Sequence, residues 1–208
     1  MASMLHKEFI VLRTFILVYL AAAVLFITQV MEVNGPPAFM SLLAFIFTIS
    51  TTAHEDKNNS HILLNSLPVS RKEIVTAKYM FHIVFGIVLV GIALIIRAAF
   101  GEWSSETALW QTAISVTVIV WFVSVFFPMY FWLGPRFVQI GMIVFFIMMF
   151  AVVPTVYNLG VKHNFWGIPD VVESFSDTLL FAILTAVTVI FLTVSWLISV
   201  WLYERKQF

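Results

Sequence analysis

Apolar residues in this chain run in long unbroken blocks, not in the alternating or three-to-four-residue periods of a soluble fold. Six blocks reach spanning length, for which a helix needs about 20 apolar residues. They fall at about 14–31, 36–54, 73–98, 108–132, 137–158 and 178–202. The pattern predicts an all-α, polytopic membrane protein with six transmembrane helices, in a single transmembrane domain over residues 1–208. No repeat or low-complexity linker divides it.

Polar punctuation falls where this topology needs turns. Asn34-Gly35-Pro36-Pro37 closes the first outer connection, and Gly134-Pro135 makes a tight turn between spans four and five. Pro128 and Pro154 lie inside spans, where each removes a backbone donor and bends its helix, as fixed shape or as a hinge. Ala21, Ala22 and Ala23 resemble a signal-peptide cleavage site, but the apolar stretch continues to Val30, so the first span is read as uncleaved.

Composition sharpens the class. Hydrophobic residues make up 62% and charged residues 11%, far from a soluble domain. The net charge of +0 gives no footprint for nucleic acid. There is no cysteine, so neither a disulfide framework nor a thiolate metal site.

The location of the charges matters more. With the N-terminus cytoplasmic, Lys7, Arg13, Lys57, Arg71, Lys72, Lys78, Arg136, Arg205 and Lys206 lie inside, and only Arg97 and Lys162 outside. The outer connections carry Glu32, Glu102, Glu106, Asp170, Glu173 and Asp177. That bias predicts cytoplasmic N- and C-termini. Aromatic residues agree: Trp103, Trp110, Tyr157 and Trp166 mark the outer boundary, and Tyr79, Tyr130, Trp132, Trp201 and Tyr203 the inner one. Trp121 and Trp196 lie deeper and are read as packing residues.

Candidate chemistry is sparse. The span centres hold no Asp, Glu, Lys or Arg, and Glu32, Lys78 and Arg97 lie near span ends, where long side chains reach the interface. That argues against a proton-coupled carrier. His82, about two turns into the third span, reads as a histidine bonded to a neighbouring helix or as a proton relay. No P-loop and no Gly-x-Ser-x-Gly elbow occur, so ATP or peptide hydrolysis by this chain alone is not expected. No catalytic, cofactor-binding or metal-ligating set is read from the sequence.

The most informative segment joins spans two and three. Its acidic, amide-rich start, Glu55-Asp56-Lys57-Asn58-Asn59-Ser60, suits solvent and offers Asn58 or Ser60 as a helix cap. Ile62, Leu63, Leu64 and Leu67 then form a short apolar face that Pro68 ends. Ser70-x-x-Glu73 is a capping box, with Val69 and Ile74 at the staple positions, so the third span begins at Arg71 at a fixed angle. Taken alone, the short helix is either an interfacial helix on the membrane surface, with Arg71 and Lys72 on anionic head groups, or a docking element.

The run Leu64-Asn65-Ser66-Leu67-Pro68-Val69-Ser70-Arg71-Lys72-Glu73-Ile74-Val75-Thr76-Ala77-Lys78-Tyr79 resembles a stretch of ABC-2 type transporter permeases. It is especially similar to the phenol-soluble-modulin exporter permease group of Gram-positive bacteria. The order of elements along the whole chain fits as well. The resemblance implies an N-terminal elbow helix at about 1–13 on the inner surface, and a cytoplasmic coupling helix between helices two and three. Asn58, Ser60, Ile62, Leu63, Leu64, Leu67, Pro68, Arg71, Lys72 and Glu73 are then the ATPase-coupling residues, the leucines filling an apolar groove and the charges its rim. The implied partners are a separate ABC ATP-binding subunit that carries ATP and magnesium, a second permease chain, and the lipid bilayer.

The expected function is the permease subunit of an ATP-driven exporter in the plasma membrane. The span interiors, rich in Phe, Val, Ile and Met, suit amphipathic or hydrophobic peptides, including toxin or antimicrobial types, better than ions or sugars. A partner-independent secondary carrier or a membrane assembly protein is the alternative. The outer connection 158–177 corresponds to a region of short extracellular helices in this class, or to an interfacial anchor.

Overall fold

The computed structural model describes residues 2–25, 38–57, 70–99, 105–134, 138 and 176–205. Five helices carry them: α1 (Ala2–Leu25), α2 (Ala38–Lys57), α3 (Arg71–Ala99), α4 (Ser105–Leu133) and α5 (Asp177–Arg205). Each of α3, α4 and α5 has 29 residues and is therefore about 44 Å long, more than the hydrocarbon layer requires. Among the described residues three stretches are long and apolar enough to cross a membrane: Arg71–Ala99, Leu109–Leu133 and Asp177–Arg205.

The other expected spans stand differently. Arg13–Val24 is apolar but shorter. In α2 the apolar half gives way to Thr48, Ser50, Thr51 and Thr52, then to His54-Glu55-Asp56-Lys57. The fifth expected span, 137–158, lies outside the described residues apart from Val138, as does the 58–69 segment. The elbow boundary near residue 13 is not a helix break, because α1 continues through it from Ala2 to Leu25. No proline or glycine lies in that stretch to interrupt it.

Contacts fix the directions. Tyr19 Oη and Ser50 Oγ lie 2.9 Å apart, and Phe15 stacks near His54, so α1 and α2 are antiparallel. Phe47 stacks on Phe85, with ring centroids 3.7 Å apart, which pairs α2 with an antiparallel α3. Phe131 meets Tyr203 at one end and Trp110 meets Phe181 at the other, so α4 and α5 run parallel. Hence α4 ends, α5 ends, α2 ends and α3 starts at one end of the bundle, called here the near end. The start of α1 lies there too.

Helix α3 is the hub, packing against all four other helices. The core beside it is aromatic: Phe47, Phe122, Phe126 and Phe127 are fully buried, and Phe45 stacks on Phe122 at 4.0 Å. At Gly86 the closest approach occurs, since a Cβ there would lie 2.6 Å from Ile119 Cγ2. That methyl sits on a β-branched carbon whose rotamer a helix restricts, so it cannot swing away. By contrast α5 turns most of its apolar surface outward, including Leu179, Ile190, Val194 and Leu197.

At the end of α4, Gly134 takes φ +81°, a left-handed conformation that costs glycine little. Its N–H donates to the Tyr130 carbonyl at 3.1 Å, which terminates the helix where the sequence places a tight turn.

Gly86→Val should therefore force α3 and α4 apart and cost about 1–3 kcal/mol. Gly91→Ala, where an added Cβ meets nothing within 4 Å, should be neutral or slightly stabilising. Thermal unfolding of both variants in detergent decides between them; equal midpoints would contradict the packing described.

Candidate functional site

The first three turns of α3 carry polar side chains along two edges, and each edge is bonded to a different helix. Helix α3 starts as the capping box dictates. Ser70 Oγ accepts from the Glu73 N–H at 3.3 Å, and the Ser70 N–H donates to Glu73 Oε2 at 3.1 Å. The Ser70 hydroxyl adds a 2.8 Å bond to the same carboxylate oxygen. Ile74, at the inner staple position, is buried.

The edge toward α2 is a ladder with rungs about one helical turn apart. Phe47 stacks on Phe85, Thr51 meets His82 at 3.1 Å, and Glu55 pairs with Lys78. The ionic rung is deeply enclosed, with Glu55 and Lys78 only 3% and 4% exposed. This corrects the sequence reading, which placed Lys78 at an interface and Glu55 in a solvated connection. A lysine near a span end can reach water, but here a carboxylate from the neighbouring helix is closer than water is.

His82 also bonds within its own helix. Its Nδ1 lies 2.8 Å from the Lys78 carbonyl, which can only accept, so Nδ1 carries the proton. Thr51 has one hydrogen and three acceptors in reach: the Phe47 carbonyl at 2.8 Å, the Thr48 carbonyl at 3.2 Å and His82 Nε2. The histidine thus joins the neighbouring helix, one of the two roles its position allowed.

The other edge faces α5. Arg71 Nη1 donates to the Glu204 carbonyl at 2.6 Å and reaches the Tyr203 carbonyl at 3.4 Å. These belong to the last turn of α5, whose carbonyls lack helical partners and carry the negative end of the helix dipole. Trp196 Nε1 donates to Thr76 Oγ1 at 3.0 Å, and the Lys72 ammonium lies 5.0 Å from the Trp196 ring centroid.

Deeper in, a directed chain links three helices. Ser195 Oγ donates to the Ser124 carbonyl at 2.5 Å. Having spent its one hydrogen, Ser195 must accept from Tyr79 at 2.7 Å, and Tyr79 must in turn accept from Ser199 at 2.7 Å. The terminal acceptor exists because of Pro128. That residue is four positions after Ser124 and has no N–H to occupy the carbonyl, so α5 supplies the donor instead.

Of the expected ATPase-coupling residues, Arg71, Lys72 and Glu73 are described, and each is engaged within the chain. Asn58, Ser60, Ile62, Leu63, Leu64, Leu67 and Pro68 lie outside the described residues. The sequence reading missed Glu55, Lys78, Tyr79, Ser124, Ser195 and Ser199. The available signal was Tyr79 beside Lys78, together with serines spaced four apart in the last span. At the far end, Arg97 Nη1 donates to Gln111 Oε1 at 2.8 Å, tying α3 to α4. An open groove along α1, lined by Thr14, Phe15, Val18, Tyr19 and Ala22, brings no charged group together.

Two outcomes follow from this geometry. Lys78→Met alone leaves a buried carboxylate without its ammonium and should cost about 3–5 kcal/mol, largely recovered by adding Glu55→Leu. Ser195→Ala should cost about 1–2 kcal/mol, and less in a Pro128→Ala background, where the restored N–H occupies the Ser124 carbonyl. Unfolding of single and double variants in mixed micelles gives both values; additivity in either pair would refute the contact.

No curated protein and no solved structure matches the chain. Its sequence does match the profile of the ABC-2 family transporter protein over residues 3–204, nearly the full length. A bundle of apolar helices tied together by buried polar contacts is consistent with that match, and membership implies an ATP-binding partner. The chain belongs to the ABC-2 family of transporter proteins and is a membrane permease of an ABC transporter.

Proposed function

We propose that this chain is the permease subunit of an ATP-driven exporter that moves amphipathic or hydrophobic peptides, of toxin or antimicrobial type, out of the cell. Two permease chains, identical or related, work with two ATP-binding subunits that hold ATP and magnesium; this chain alone hydrolyses nothing. It lies in the plasma membrane with both termini in the cytoplasm, so the near end faces the ATPases.

The observation that carries this reading is the double anchoring of the 58–69 connection. On one side Glu55 is held by Lys78, and on the other the capping box and Arg71 hold the start of α3. A docking segment strung between two fixed points passes a push on to the helices, whereas one on loose tethers absorbs it. Asn58 to Glu73, with Ile62, Leu63, Leu64 and Leu67 as its apolar face, is the segment we assign to the ATPase groove. The apolar outward surface of α5 and the phenylalanine-rich core support an apolar cargo that moves along or out of the bilayer.

A second reading has one observation in its favour. The buried Glu55, Lys78 and His82 supply the ionisable groups that a gradient-driven carrier needs and that the sequence seemed to lack. Glu55 sits in the last turn of α2, and Lys78 and His82 near the start of α3, so all three lie toward one end of the bundle and not midway, which favours the exporter.

Co-expression with an ABC ATP-binding subunit, followed by purification on a tag carried by this chain, tests the proposal. The native pair should co-elute and hydrolyse ATP, and Leu63→Asp with Leu67→Asp should release the ATPase. Co-elution that survives the double change places docking elsewhere. Failure of any ATP-binding subunit to associate, with peptide movement abolished by a protonophore, would establish the carrier.

A further inference from the structure

We propose that the Glu55–Lys78 ion pair is a coupling joint that makes α2 and α3 move as one piece when the connection between them is pushed, with both side chains acting as positioning residues. The inference rests on the exporter reading above.

Three observations carry it. The pair is buried, with the Glu55 and Lys78 side chains 4% and 5% exposed. It is the last rung of the ladder, following Phe47–Phe85 and Thr51–His82, and so the one nearest the 58–69 connection. Its lysine backbone is itself engaged, since the Lys78 carbonyl accepts from His82 Nδ1, which binds the ionic rung to the one above.

The physics of helices in lipid gives the rung its role. Two apolar helix faces gain little from each other that lipid tails do not also give, so apolar contacts alone let helices slide or part. Buried opposite charges cannot part without each losing its ionic partner in a medium that solvates charge poorly. Stability does not account for the pair, because apolar residues of similar volume serve as well or better in that respect. An apolar replacement keeps the fold and loses the grip. Motion reaching α3 is then shared with α5, because Arg71 and Tyr79 hold that helix on the opposite edge.

The natural absence of cysteine makes a clean test possible. Ile95→Cys, on the far part of α3 and strongly exposed, gives a single site for an environment-sensitive fluorophore. The labelled chain is purified with its ATP-binding subunit, and fluorescence is followed as ATP and magnesium, then vanadate, are added. In the otherwise native chain the signal should shift. In Glu55→Leu with Lys78→Met the complex should still co-purify and unfold at an unchanged or higher temperature, yet the shift should be lost. Reversal of the pair, Glu55→Lys with Lys78→Glu, should restore it.

A normal shift in the apolar double variant would show that the pair only fills space, and would overturn the joint while leaving the exporter reading intact. The joint also fails if the ATPase binds and the native chain gives no shift, because α3 then carries no motion. If no ATP-binding subunit associates, the exporter reading itself fails, and the joint with it. Should the reversed pair not fold, the apolar double variant still decides the question.

Discussion

A polar group inside a membrane has no water to turn to, and this constraint organises the bundle more than any other. Helix α3 meets it first, because Lys78, Tyr79 and His82 are all buried on one helix and α3 alone does not satisfy them. Two neighbours are needed. Helix α2 answers with Glu55 and Thr51, and α5 with Ser195 and Ser199. The phenylalanine core that fills the space between them is dense, but its contacts would survive a shift by one turn far better than these bonds would.

Among the described residues the polar contacts are unevenly spread. At the near end lie the ionic rung, the capped start of α3, the Arg71 clasp on α5 and the Lys72–Trp196 stack. Toward the far end, the bonds between described helices include Arg97 to Gln111 and, midway, Trp121 to Thr188. A bundle bonded in this way resists relative motion of its described helices more at the near end than at the far end. Such a difference between the ends suits a family whose members are moved by ATPases.

What could be read from the sequence depended on how local its cause was. The Ser70–Glu73 cap was legible because both partners lie within one turn and the motif has one geometry. The stop at Gly134 was legible because only glycine takes φ +81° cheaply there. The lengths of α3, α4 and α5 followed from uninterrupted apolar runs. The Glu55–Lys78 pair was not legible: 23 residues separate the two, and a lysine near a span end reads equally well as reaching for the interface. Arg71 was read as facing outward to a partner or to lipid, while the carbonyls that hold it belong to a helix 133 residues away. Pro128 was weighed as fixed shape or hinge. Its freed carbonyl became meaningful only once α5 was seen beside it.

That freed carbonyl also bears on how the chain is made. Helices enter the membrane in order of synthesis, so α3 and α4 arrive with Tyr79 and the Ser124 carbonyl lacking their later partners. Helix α5 follows them in the chain and presents Ser195 and Ser199 one turn apart, the spacing that lets both reach Tyr79. Docked one turn off, it could offer Tyr79 or the Ser124 carbonyl only one of its two serines, and the three-helix chain of donors would be incomplete. The proline in α4 therefore acts as a register mark, laid down first and read by α5 when it docks. Until that segment docks, the nascent bundle exposes an unmet polar site inside the bilayer, which distinguishes an unfinished copy from a finished one.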